Sequence, residues 1–135
     1  MCGRFVSSTP AAVLADQFAA EAVPDLPDAP RYNVAPTDQV LAVAASAGGR
    51  RLGTLSWGLV PRWADEGRAP RRLVNLRAET VAARPAFRAV VARRRCIVPA
   101  DGFYEWAGER GRGRRQPVFV TARDRRPLAF AGVWD

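Results

Sequence analysis

The 135-residue chain contains no histidine, and all 21 of its basic residues are arginine, so lysine is absent as well. Imidazole is the side chain whose ordinary pKa lies nearest neutrality, and lysine carries the only side-chain amine. Their absence excludes a histidine-based triad, a histidine-ligated zinc site, a phosphate-loop lysine and an internal-lysine Schiff base. Arginine replaces none of these, because its guanidinium stays protonated at physiological pH. The one primary amine on the chain is its own N-terminus. Cysteine is scarce too: Cys2 and Cys96 are too few for a disulfide framework and are expected as reduced thiols. No apolar run approaches the ~20 residues a membrane-spanning helix needs. The start Met1-Cys2-Gly3-Arg4-Phe5 lacks the apolar stretch of a secretory signal, so a cytoplasmic protein is expected.

What is present is ordinary in bulk and unusual in charge. Hydrophobic residues at 48% and charged residues at 25% fit a single globular domain over residues 1–135. The net charge of +8 is carried by guanidinium groups, whose forks suit phosphates. Two readings of that charge stand side by side: a polyanionic partner, or an ordinary surface in which arginine has replaced lysine.

Thr9-Pro10 predicts a helix start, with Val13, Leu14 and Phe18 continuing at helical spacing to about residue 22. The proline-punctuated stretch 24–36 reads as extended loop. Residues 39–45 and 51–57 read as strands joined through Ser46-Ala47-Gly48-Gly49, and 58–72 as loop. Short helices are expected over 78–83 and 86–92, broken at Pro85. Strands follow at 96–98, stopping at Pro99, at 103–106, at 118–120 and at 128–134. Strands outnumber helices and hairpins dominate. The predicted class is α+β, with a largely antiparallel, barrel-like core and short flanking helices. Because residues 129–134 end inside an apolar run, a fragment of a longer domain, incomplete at the C-terminus, is expected.

Cys2 carries the first candidate chemistry. Loss of the initiator methionine, expected before a small residue, would leave an α-amine and a thiol on adjacent carbons. The amine's pKa of ~7.7–8.0 leaves some of it unprotonated near neutrality, and the thiol's lies near ~8.5. Such a pair can attack an aldehyde to give an imine and then close a five-membered thiazolidine. The plain alternative is a small residue at a frayed start. Glu105, between Tyr104 and Trp106, is the second candidate. Flanking aromatics are expected to desolvate it and raise its pKa for general acid-base work, the alternative being a glutamate that faces solvent by alternation. Asn75 and Arg77 project to one side of an extended segment, presenting an amide and a guanidinium, although Glu79-Thr80 equally reads as a helix start. The aromatic loops Tyr32-Asn33-Val34-Ala35-Pro36 and Trp57-Gly58-Leu59-Val60-Pro61-Arg62-Trp63 offer faces on which unstacked bases rest. Core packing is the competing account, preferred for Trp57 and Trp106, whereas Trp63 is expected at the surface. Arg93-Arg94-Arg95 and the arginine-rich turn from Arg110 to Arg115 read as solvated charge.

These segments, together with Asn75-Leu76-Arg77-Ala78-Glu79-Thr80 and the run from Arg95-Cys96-Ile97-Val98-Pro99 through Ala100-Asp101-Gly102-Phe103-Tyr104-Glu105-Trp106, resemble the SOS response-associated peptidase family, the abasic-site processing proteins. The resemblance runs over nearly the whole chain. It implies binding of single-stranded DNA at abasic sites and capture of the ring-opened sugar aldehyde as a thiazolidine on Cys2. It further implies Asn75 at the opened sugar, Glu105 as proton carrier and Arg4 and Arg77 on flanking phosphates. Asn33 joins the DNA-binding set, and Pro36 and Trp63 fall where family members wedge against bases. A self-processing peptidase activity that removes what precedes Cys2 is implied too. Members of the family carry a catalytic histidine in a His-x-Arg-Met-Pro-like motif that this chain lacks, which implies slower release rather than a blocked first attack. Position 76 is leucine where alanine is usual, and position 64 alanine where some members carry tryptophan. No cofactor and no metal are expected; the partner is single-stranded DNA, the chain a monomer, and its place beside the nucleoid. Two other classes stay open: a non-catalytic single-strand binder, and an N-terminal-cysteine hydrolase acting on amides.

Overall fold

The computed structural model describes residues 2–61, 72–108 and 115–135. In chain order the elements are β1 (Phe5–Ser7), α1 (Ala11–Gln17), β2 (Glu21–Ala22), β3 (Arg31–Val34), β4 (Gln39–Ser46) and β5 (Gly49–Ser56). They continue with α2 (Ala78–Val81), α3 (Pro85–Arg93), β6 (Arg95–Ala100), β7 (Gly102–Ala107), β8 (Gln116–Val120) and β9 (Leu128–Val133). The strands form a four-stranded sheet ordered β3-β1-β7-β8 and a five-stranded sheet ordered β2-β5-β4-β6-β9. Every named pairing is antiparallel except β2 with β5. The predicted α+β, mostly antiparallel class is the observed one.

The run Val40-Leu41-Ala42-Val43 is buried on both faces, which is what a continuous apolar stretch in a central strand implies. Leu41 and Val43 pack with Leu52 beneath Ala11 and Leu14 of α1. On the opposite face Val40 meets Phe5, Val34 and Ala100, with Trp57, Phe103 and Phe130 closing the cluster. This second cluster joins the two sheets. Edge-to-face contacts of Phe5 with Trp57 at 5.1 Å and of Phe103 with Phe130 at 5.7 Å fix its geometry.

Several expectations are corrected. The first helix ends at Gln17 rather than near residue 22, and Glu21–Ala22 is a strand. The alanines carry no stop signal; instead Ala19 turns left-handed at φ 47°, and the Arg50 guanidinium donates to the Phe18 carbonyl at 2.9 Å. The Val23 amide then bonds the Leu52 carbonyl at 3.0 Å, drawing the chain along β5. Thr9 does not cap the helix: Pro10 occupies that position, and the Asp28 carboxylate accepts from the Ala11 amide at 2.8 Å. The expected loop 24–36 contains β3, paired with β1. The strand at 96–98 runs on through Pro99 to Ala100, because β4 pairs β6 only at Cys96 and Ile97 and the missing proline N–H falls beyond that ladder. Pro85 opens α3 rather than interrupting a helix. Arg94 is not simply solvated: it pairs with Asp135 and lies over the Trp134 ring at 5.4 Å.

The passage from β6 in one sheet to β7 in the other turns on Asp101-Gly102. A Cβ on Gly102 would fall 2.6 Å from the Val120 carbonyl oxygen, a backbone atom that cannot give way, as well as 2.3 Å from the Phe119 ring, so glycine is required. Asp101 accepts from the Ser8 amide at 2.6 Å, the Thr9 amide at 3.0 Å and the Thr9 hydroxyl, tying the segment after β1 to this corner. Partial burial works against its ionisation, but these donors outweigh burial and hold its pKa below the ordinary carboxyl value. Beyond the corner, β8 is exposed along its whole length, including Phe119 at 49%.

A carboxyl whose folded pKa is depressed stabilises the fold fully above its unfolded pKa of ~3.9, and loses that effect as pH falls through the folded value. Asp101→Ala is therefore expected to cost about 3 kcal/mol in urea unfolding at pH 7. Its stability should converge on that of the wild type below pH ~4; a gap that stays constant with pH would count against the carboxylate as the tie.

Candidate active site

The residues before β1 continue its line along the sheet. The Tyr104 amide donates to the Arg4 carbonyl at 2.9 Å, and the Arg4 guanidinium donates to the Asn33 side-chain oxygen at 2.9 Å. Above this strand the Tyr104 hydroxyl reaches the Tyr32 carbonyl at 3.0 Å, linking β7 to β3 across β1. Cys2 is half-buried and packs against the inter-sheet core. A terminus that commonly frays is thereby held on both sides.

Asn75 reaches it from a distant segment. Gly58, at φ 116°, makes a turn that L-residues rarely adopt, and Leu59 and Leu73 then exchange backbone bonds at 3.0 and 2.9 Å. The Trp57 indole N–H donates to the Val74 carbonyl at 3.4 Å. So anchored, the Asn75 amide donates to the Cys2 carbonyl at 2.8 Å. Arg77, extended at φ −81° and ψ 121°, sits exposed at the N-terminal edge of α2.

Glu105 lies two residues beyond Phe103 in β7, on the open groove and close enough to Cys2 to bear on its thiol. Its charge is felt there: burial, and after it the Glu105 carboxylate, push the Cys2 thiol pKa up. The expected rise in the pKa of Glu105 itself is corrected. A hydrogen bond from the chain's N-terminal ammonium is the largest influence, and it holds the carboxyl below its ordinary value. Flanking aromatics fail to desolvate it because Trp106 is 55% exposed, itself a departure from the core position expected for that ring. Trp106 lies instead under Arg115, whose guanidinium sits 6.0 Å from its centroid and donates to its carbonyl at 3.1 Å. Trp57, by contrast, packs on Phe5 as expected. Cys96 is no rival nucleophile: burial pushes its pKa up to about 11.

An open groove of about 460 Å³ starts at Gly3, one residue past Cys2, and is lined by Arg4, Asn33, Tyr104, Glu105 and Trp106, with Tyr32 at its rim. The structure thus brings Cys2, Asn75 and Glu105 together, with Arg4 and Asn33 beside them. Pro36 lies in the turn after β3, which Asp38 holds by accepting from the Ala35 amide at 3.0 Å; none of the described contacts carries it into the groove. Trp63 lies outside the described residues, as does most of the arginine-rich turn before β8. Tyr104 is not among the site residues expected from the sequence, and Arg115, expected as solvated charge, is instead engaged with Trp106. The tyrosine–glutamate–tryptophan run was visible, but only the strand order shows that Tyr104 spans β1. Among the described residues no group of three or more His, Cys, Asp or Glu side chains converges as metal ligands would, and no helix is long and apolar enough to cross a membrane.

Comparison with known proteins then adds a family. A family model described as SOS response associated peptidase (SRAP) matches residues 1–135. Abasic site processing protein YoaM of Bacillus subtilis is 38% identical over 136 residues, spanning 100% of this chain and 60% of that protein. Abasic site processing protein YedK of Escherichia coli is 34% identical, spanning 98% of this chain and 59% of its own length. A crystal structure of a Bordetella bronchiseptica protein superposes with a TM-score of 0.77 at 26% identity, over 99% of this chain and 64% of the other. The chain spans about three-fifths of the length of these two relatives.

The electrostatics of the site make one prediction. Removing the Glu105 charge removes an upward push on the thiol, so Glu105→Gln should move the pH midpoint of Cys2 alkylation downward, read by peptide mass spectrometry that scores Cys2 and the buried Cys96 separately. A midpoint that moves upward would contradict the assigned proximity of the two groups.

Proposed function

The chain belongs to the SOS response associated peptidase family, and from that premise we propose that it processes abasic sites in single-stranded DNA by covalent capture on Cys2. The observation that carries this reading is the hydrogen bond from the Asn75 amide to the Cys2 carbonyl, which gives the terminus a fixed place beside Glu105. Hydrolysis of the Met1–Cys2 peptide bond frees the Cys2 α-amine. The amine adds to the C1 aldehyde of the ring-opened deoxyribose, and loss of water gives an imine. The Cys2 sulfur then attacks the same carbon, the nitrogen takes up a proton, and a thiazolidine closes. The condensation of Cys2 with the aldehyde releases one water.

Each residue has a task in this scheme. Glu105, a carboxylate at neutral pH, is suited to taking a proton from the Cys2 ammonium and returning one to the departing hydroxyl. The Cys2 sulfur, on the carbon next to the one that bears the amine, lies within reach of the imine carbon once nitrogen has added. Asn75 orients the terminus. Arg4, steadied by Asn33, and Arg77 supply cations for phosphates on either side of the lesion. Pro36 and Trp63 meet the neighbouring bases, and the net charge of +8 draws in the strand. The same nucleophile acting on the bond before it gives the peptidase activity in the family's description, and the work is done where single-stranded DNA is exposed, beside the nucleoid.

An abasic single-stranded oligonucleotide incubated with protein whose first residue is Cys2 should give a heat-stable adduct on denaturing gels. Cys2→Ala should abolish it, and Glu105→Gln should slow it about 100-fold. The rate should rise between pH 6 and ~8 as the α-amine deprotonates. An undiminished adduct in Cys2→Ala, or equal retention of intact DNA, would refute covalent capture and leave a simple single-strand binder.

A further inference from the structure

The proposed chemistry needs an aldehyde and an anion within one nucleotide's reach, and nothing in its atoms requires a polymer. We infer that the same groove also captures free aldose phosphates, the class of small molecule that joins an open-chain aldehyde to a phosphate monoester. The inference rests on the reading of Cys2 given above and extends it to a second substrate class.

The groove supports it on three counts. Its volume of about 460 Å³ lies within the range of sites that hold small metabolites. Arg4 lines it, and the bond to the Asn33 oxygen at 2.9 Å occupies one N–H of a guanidinium whose others suit a bidentate phosphate contact. Asn33 therefore orients the fork without neutralising it, since an amide oxygen brings no charge. The walls are aromatic: Trp106 is 55% exposed and Tyr32 64% exposed, which suits the apolar face of a sugar. Glu105 disfavours a second anion near the reacting carbon, so the phosphate belongs at the Arg4 end and the aldehyde at the Cys2 end.

The reaction balances as before. The amine adds to C1, water departs, sulfur closes on C1, and the thiol proton passes to nitrogen, so the protein gains the sugar phosphate less one water. No oxidant or reductant is involved. A protein so loaded has neither its amine nor its thiol free, and is closed to an abasic site until the ring reopens. Aldose phosphates would thus act as competitive occupants of the DNA-processing site.

The test uses the full chain, shown by intact mass to begin at Cys2, with 2-deoxyribose 5-phosphate and uncharged 2-deoxyribose as probes. A form retaining Met1 and an abasic oligonucleotide run beside them. The expected result is a mass gain of the sugar phosphate less water, absent from the form retaining Met1. Loss of oligonucleotide crosslinking in proportion to loading should accompany it. The phosphorylated sugar should react faster than the neutral one, and Arg4→Gln should reduce that ratio about tenfold. Equal rates for the two sugars, or a ratio unmoved by Arg4→Gln, would overturn the phosphate recognition. Crosslinking to the oligonucleotide without any sugar-phosphate adduct would overturn this inference alone, whereas failure of both would bring down the covalent reading from which it comes.

Discussion

The arrangement depends on fixing a chain terminus. Ends of chains are ordinarily the least ordered part of a domain, because few contacts repay the entropy of holding them. Here the backbone two residues past Cys2 is bonded by Tyr104, and the Cys2 carbonyl itself by Asn75, which is 73 positions away in sequence. Neither contact involves the atoms proposed to react. The amide and the strand set position, leaving nitrogen and sulfur to do chemistry, so the same short segment is both sheet and site.

Sheet topology explains why those partners arrive together. β1 lies between β3 and β7, so the chain extending β1 toward the N-terminus runs beside Tyr104 and Glu105, while the Arg4 side chain reaches Asn33 on the other flank. The corner at Asp101-Gly102 sets the register of β7 against β1, pairing Phe5 with Phe103. A shift of one residue would move Glu105 off its place beside the N-terminal segment and leave Tyr104 or Trp106 there. The depressed pKa of Asp101 and the absence of a side chain on Gly102 are thus remote requirements of the site, not merely of the fold.

Much of this was legible in the sequence, and the failures have physical causes. The absence of histidine and lysine directed attention to the terminus, and the positions of Cys2, Asn75 and Glu105 followed from motif order. The β4–β5 hairpin was visible in the continuous apolar run of β4 and in the Ala47-Gly48 turn that follows it. What could not be read were effects imposed from elsewhere. The helix at Ala11 ends early because Arg50 and the edge of β5 claim the residues after it, and no local stop signal records that. β3 hides among prolines because its partner, β1, is 24 or more residues away. The pKa of Glu105 moved opposite to expectation, since a nearby ammonium outweighs neighbours that, like Trp106, turn outward.

The exposed last strand of the smaller sheet has a consequence of another kind. β8 presents Val118, Phe119 and Val120 on a sheet margin, a pattern that invites intermolecular ladders and, in concentrated solution, clumping. Pro117 lies in that strand, and prolines are accommodated on sheet margins where the absent donor would face outward. An incoming strand therefore meets an interrupted row of donors, and the imino acid acts as a gatekeeper that keeps a sticky margin from templating copies of itself.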